Sequence, residues 1–147
     1  MAAITIGTQY TWNLLAVTAM CFQCALAGFS VGGARKKFGV DYPDMGSGRF
    51  TAKLTDAQWI EFNNVMRVHQ NYVEQLPIVI VATLVSGIFY PTLSALLGGI
   101  YITGRYLYGV GYTKSGASGR YPGAPMLNLS MFLNLILCFI GIFNANF

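Results

Sequence analysis

The chain is patterned as three long apolar blocks separated by two charged intervals. No Asp, Glu, Lys or Arg occurs in residues 1–34, 75–104 or 121–147; all of them lie between Arg35 and Glu74 or between Arg105 and Arg120. A spanning helix needs about 20 apolar residues. The three blocks, with the partly polar segment before Pro77, predict four helices. The first covers about 10–34. The second starts near Asp56 in water, enters the bilayer near Val65 and ends near 89. The "YPT" at 90–92 is a turn, the third helix covers about 93–111 and the fourth about 124–143. The expected fold is all-α: an integral membrane four-helix bundle, one domain over 1–147. The "GSG" at 46–48 and the stretch Thr113–Gly123 read as flexible loops.

Composition supports the bilayer. Charged residues are 10% and hydrophobic residues 54% of the chain, against roughly 25% charged in ordinary soluble domains. The net charge of +4 is scattered rather than gathered into a patch, so it carries no nucleic-acid footprint. Its placement sets orientation instead. Arg35, Lys36, Lys37, Arg49 and Lys53 follow the first helix, and Lys114 and Arg120 follow the third. With four spans both basic loops share one side, which should be cytosolic, and both termini are lumenal. The N-terminus has no basic n-region, so the first helix reads as a permanent anchor and not a cleaved signal. Cys21 and Cys24 imitate a redox pair, but within a spanning helix they read, with Cys138, as buried packing residues. One His and three bilayer Cys make no metal site.

Polar residues recur at helical spacing inside this apolar frame. At about 100° per residue, Arg67, Asn71 and Glu74 fall within an arc of roughly 60°. Charges at membrane depth face a bundle interior or cavity. Arg67 offers a planar fork for a carboxylate, Glu74 suits an amine, and Asn71 can donate and accept as peptide groups require. Together they suit a small zwitterionic, peptide-like ligand; the same spacing also suits an internal Arg67–Glu74 pair that orders the bundle. His69 points roughly 160° away from Arg67. It reads as an interfacial histidine or as a group lining a second copy of the site between subunits. Pro77 should kink or loosen the helix just beyond the stripe. Arg105, Tyr108 and Tyr112 share another arc of roughly 60°, either a donor set for an anion or an aromatic belt with a snorkelling arginine. Tyr106 belongs to the belt. Arg120 sits in a Gly-rich loop, as a topology signal or as a group reaching back over the site. Arg35 and Lys36 end the first helix at the same level, and Lys37 reads as a positive-inside anchor.

The segments "RVHQNYVEQLP", "GRYLYGVGY" and "ARKKFGVDYP" together resemble the MAPEG family of membrane proteins in eicosanoid and glutathione metabolism, and within it most of all the type 3 glutathione transferase branch. The pattern Arg67, Asn71, Glu74, Pro77 is the most specific part. The resemblance implies a homotrimer with glutathione held between neighbours near the cytosolic face of the endoplasmic reticulum. It implies glutathione contacts from Arg35, Arg67, Asn71, Glu74, Arg105, Tyr108 and Tyr112, with His69 supplied by the adjacent subunit. Arg120 resembles the arginine that stabilises the glutathione thiolate, and Lys36 falls where leukotriene-forming relatives carry a second catalytic arginine. Gln75 departs from the Tyr of those relatives. The function implied is a glutathione transferase and peroxidase, with glutathione as co-substrate, no metal, and a lipophilic electrophile or lipid hydroperoxide arriving through the membrane lipid. Two other readings stay open: a non-catalytic lipid-binding adaptor, and a small four-helix channel or carrier.

Overall fold

A computed structural model describes residues 6–146. Residues 1–5 and 147, part of the expected domain, lie outside the described residues. A 3-10 turn at Thr8–Tyr10 leads into α1 (Thr11–Phe38); α2 (Asp56–Phe89), α3 (Pro91–Gly119) and α4 (Gly123–Asn146) follow. Helices α1, α2 and α4 are long and apolar enough to cross a membrane. Helix α3 has the length, but its glycines, tyrosines and Arg105 dilute its apolar character.

Local chemistry explains the boundaries. Thr55 caps α2 by accepting from the Gln58 backbone N–H, while the Gln58 side chain accepts from the Thr55 N–H. This capping box satisfies two donors that a helix start otherwise leaves orphaned. Arg35, Lys36 and Lys37 occupy the last turn of α1, where cations suit the negative end of the helix dipole. Tyr90 alone separates α2 from α3, and Pro91 starts α3, a position where its missing N–H costs nothing.

The extent of the loop after the third helix and the burial of one cysteine differ from expectation. Part of the expected loop at 113–123 is helical: α3 runs on to Ser115, the chain breaks at Gly116 (φ 65°, ψ −150°), and a short helical turn over 117–119 folds back until the Gly119 carbonyl lies against Gly111. Glycine takes this conformation without the Cβ clash other residues would meet, so the Gly-rich composition marks the point where the chain reverses. Pro77 lies inside α2, which runs through it as one helix. Of the three cysteines, Cys24 and Cys138 are buried as packing residues, but Cys21 faces outward and is exposed; all are free thiols.

Helices α2 and α3 each pack against both α1 and α4. The main core gathers Met20, Tyr72, Val79, Tyr101, Leu127 and Met131. A second cluster, Val31, Val40, Phe62 and Met66 among its members, seals α1 against α2 near the long loop. The end near the α2–α3 turn is joined by hydroxyls and amides. Ser86 and Ser94 oxygens lie 2.6 Å apart, Ser86 donates to Asn134 Oδ1 at 2.9 Å, and Asn13 Nδ2 donates to the Pro91 carbonyl at 2.9 Å. At the opposite end α4 starts against α3 with no room between them: a Cβ on Gly123 would run into the Tyr108 backbone N and the Gly104 carbonyl. Small residues let membrane helices approach this closely. Gly123→Val should therefore lower unfolding stability in detergent by about 1–3 kcal/mol. Thermal or denaturant unfolding checks this; an unchanged midpoint would show that the contact is slack.

Candidate functional site

The stripe anticipated on the second helix exists on α2. Arg67 Nη1 donates to Glu74 Oε1 at 2.9 Å, and Asn71 Nδ2 lies 3.5 Å from Glu74 Oε2. Both partners of the ion pair are about half exposed (45% and 54% of their side chains), so water screens it and it adds little to stability. Its value is positional: Arg67 lines a cavity, and Glu74, which does not line it, stands beside that arginine.

That cavity, about 340 Å³, lies between α2, α3 and α4. Arg67 and Asn71 line it from α2, Tyr108 and Tyr112 from α3, and Arg120 from the α3–α4 turn. Five of the anticipated residues thus meet in one place. The Tyr108 and Tyr112 rings pack at 5.4 Å between centroids and form one wall. The Arg120 guanidinium lies 5.6 Å from the Tyr121 ring. The reversal at Gly116 is what brings Arg120 back over the cavity.

Arg105 stands behind this wall. It is buried, and its guanidinium donates to the Tyr101 hydroxyl (2.9 Å), Asn71 Oδ1 (2.7 Å), the Asn71 carbonyl (3.0 Å) and Gln75 Oε1 (2.7 Å). The Tyr72 ring lies 4.5 Å from the same group. Hydrogen bonds from a charged donor are short and strong, and a ring face adds attraction for a cation. The arginine therefore fixes Asn71 and Gln75 in place. Gln75 passes the link onward, donating to Asn128 Oδ1 of α4 at 3.0 Å.

Three anticipated residues lie elsewhere in the single chain. His69 is half-buried, with its Nε2 against the Gly28 position on α1. Lys36 is exposed beside a separate hollow with Arg35 and Tyr42. Arg35 is buried and organises the α1–α2 loop: it donates to the carbonyls of Val40 (3.2 Å) and Asp44 (2.6 Å), with the Tyr42 ring 4.2 Å away. Loop carbonyls occupy its donors because the chain doubles back over the end of α1. Gln75, Asn128 and Tyr121 also line the cavity and were not anticipated as site residues. Gln75 follows Asn71 at i+4 and was legible on the same face; Asn128 is one amide in an uncharged helix, and only packing reveals it.

Among the described residues no three His, Cys, Asp or Glu side chains converge as metal ligands would. The cavity instead combines cationic forks, amides and phenol hydroxyls, with one carboxylate beside Arg67. This suits an anionic or zwitterionic molecule with peptide groups.

A helical membrane bundle with a polar cavity at one end of its helices defines the class, and comparison with known proteins supplies the family. Residues 13–143 match the MAPEG family, and the chain belongs to it. The chain is 33% identical to human microsomal glutathione S-transferase 2, over 87% of this chain and 79% of that protein. It is 27% identical to the uncharacterised protein sll1147 of Synechocystis sp., over 92% of this chain and 90% of that one. MAPEG members include glutathione transferases as well as proteins without catalysis.

The loop that Arg35 gathers contains a second anchor. The Asp44 carboxylate accepts the backbone N–H groups of Gly46, Gly48, Phe50 and Thr51, and the Thr51 hydroxyl. Burial opposes its charge, but the donors from Thr51, Gly46 and Gly48 outweigh that and hold its carboxyl well below the usual carboxylate range. A depressed folded pKa gives stability that is complete above the unfolded value near ~3.9 and is lost as pH falls toward the folded value. Amide hydrogen exchange of residues 44–51, corrected for intrinsic rates, should thus show protection unchanged from neutral pH to about 4 and lost only in stronger acid. Asp44→Asn should lose it at neutral pH. Loss in the wild type already above about pH 5 would contradict this assignment.

Proposed function

We propose that the α2–α3–α4 cavity binds glutathione and that the protein is a glutathione-dependent transferase and lipid-hydroperoxide peroxidase. The observation that carries this reading is the convergence of Arg67, Asn71, Tyr108, Tyr112 and Arg120 on one cavity in a chain of the MAPEG family. Arg67 suits a carboxylate of the tripeptide, Glu74 its ammonium, and Asn71 and Asn128 its amides. Arg105 supports Asn71 from behind.

The chemistry follows from the charges. A free thiol ionises near ~8.5, and neighbouring guanidinium groups lower that value. Arg120 holds the sulfur as thiolate, and the Tyr112 hydroxyl donates toward it. The thiolate attacks an electrophilic carbon, forming a C–S bond as the leaving group departs or an epoxide C–O bond opens and its oxygen takes a proton. With a hydroperoxide, the sulfur attacks the terminal oxygen. The O–O bond breaks, the alcohol leaves with a proton, and a second glutathione converts the sulfenic acid to disulfide and water.

The surroundings extend the reading. All four helices cross the bilayer, α3 with an exposed apolar face that includes Leu96 and Val110. Three chains assemble, and the adjacent subunit brings Arg35 and His69 toward the open side of the cavity. The basic loops support a site facing the cytosol, and the family relationship supports the endoplasmic reticulum as its membrane. A lipophilic substrate reaches the thiolate from the bilayer, along an apolar path between subunits. Lys36 lies at the cavity's outer rim in such an assembly.

Purified protein should develop thiolate absorbance on adding glutathione and turn over a test electrophile and a lipid hydroperoxide. Arg120→Ala should cut thiolate formation at least roughly tenfold, one unit of thiol pKa, while glutathione binding changes far less. Equal loss of both would contradict the role of Arg120. Absence of thiolate and turnover, beside an active family member, would leave a lipid-binding adaptor or a carrier.

A further inference from the structure

A second cavity is larger than the polar one. A groove of about 670 Å³ runs between α1, α2 and α3, within the ~300–1,000 Å³ typical of pockets that enclose small ligands. Leu26 and Ala27 of α1, Val65 and Val68 of α2, and Val110 of α3 make its walls apolar. These α2 positions lie roughly 110° round the helix from the Arg67–Glu74 stripe, so the groove opens on a different side from the polar cavity. Arg105 forms part of the inner wall of the groove and also hydrogen-bonds Asn71 and Gln75 of the cavity, dividing the two spaces.

The mouth of the groove is charged. Lys37, Glu61 and Lys114 line it. Lys37 pairs with Glu61, and among the described residues Lys114 makes no ion pair and is exposed. The surplus at this end is therefore positive. It lies at the end of α1 where the basic cluster Arg35–Lys37 stands. An apolar trough in membrane-spanning helices, with an unpaired cation at its mouth, matches an amphiphile with an acyl chain and an anionic head.

We propose that this groove binds one anionic phospholipid, with an acyl chain along α1, α2 and α3 and its phosphate at Lys37 and Lys114. The site is independent of the thiol chemistry, and its test uses no glutathione. The wild-type protein in mild detergent is mixed with equal amounts of dioleoyl phosphatidylglycerol and dioleoyl phosphatidylcholine, and retained lipid is counted by native mass spectrometry. One phosphatidylglycerol per chain should be retained at about fivefold preference, the order expected for a basic residue near an anionic headgroup. Lys114→Gln should bring the preference close to parity. Gly33→Phe should lower retention of both lipids: Gly33 lines the groove, and a Cβ there meets nothing within 4 Å, so the ring fills the space without disturbing the helices. Lys53→Gln, an exposed basic residue that does not line the groove, should change nothing. Equal retention of the two lipids by the wild type would overturn the proposal. So would an unchanged preference in Lys114→Gln, or an equal loss in Lys53→Gln. Stronger retention of added oleate than of either phospholipid would assign the groove to a fatty acid and overturn it as well.

Discussion

The bundle turns on one cation without an acidic partner. Arg105 is buried among helices that carry almost no charge, and neutral groups satisfy it: one phenol, two amide oxygens and a backbone carbonyl. Hydrogen bonds to charged groups contribute about 1.5–3 kcal/mol each when formed, and an orphaned buried charge costs more than that. The helices must therefore keep the register that brings Asn71, Gln75 and Tyr101 to the guanidinium. Gln75 extends the constraint to α4 through Asn128. One residue thus links three helices at the depth of the polar cavity.

The consequence for function is a division of labour between arginines. Arg105 faces inward and builds the wall. Arg67 and Arg120 are exposed and line the cavity from its open side, so their charge is available to a ligand. Arg35 performs the inward task at the loop, where it and Asp44 together gather the chain between α1 and α2. The proposed thiol chemistry needs cations that are positioned but unneutralised. Arg67 retains Glu74 as a partner beside it, which matches a zwitterion better than a simple anion.

The helices were legible because charge is so scarce that its gaps outline them. The stripe at Arg67, Asn71 and Glu74 was legible because helical spacing alone sets its face. Arg120 was harder: composition suggested a loop, and only the reversal at Gly116 shows how the chain delivers it back to the cavity. Arg35 and Arg105 look alike in sequence to the arginines of the cavity, since periodicity gives direction round a helix but not what stands opposite. Asn128 carried no signal, because its role depends on a partner more than fifty residues away. His69 packs against α1 at Gly28, on the side away from the cavity.

The division of labour among arginines can be read directly from the arginine Nε–H signals of 15N-labelled protein in detergent, assigned by single substitution, before and after glutathione is added. Glutathione should shift the signals of Arg67 and Arg120. The Arg105 Nε–H, bonded to the Tyr101 hydroxyl, should be slow to exchange with solvent in both states and nearly stationary. A fast-exchanging Arg105 that moves most on addition of glutathione, with Arg67 and Arg120 unmoved, would contradict the account.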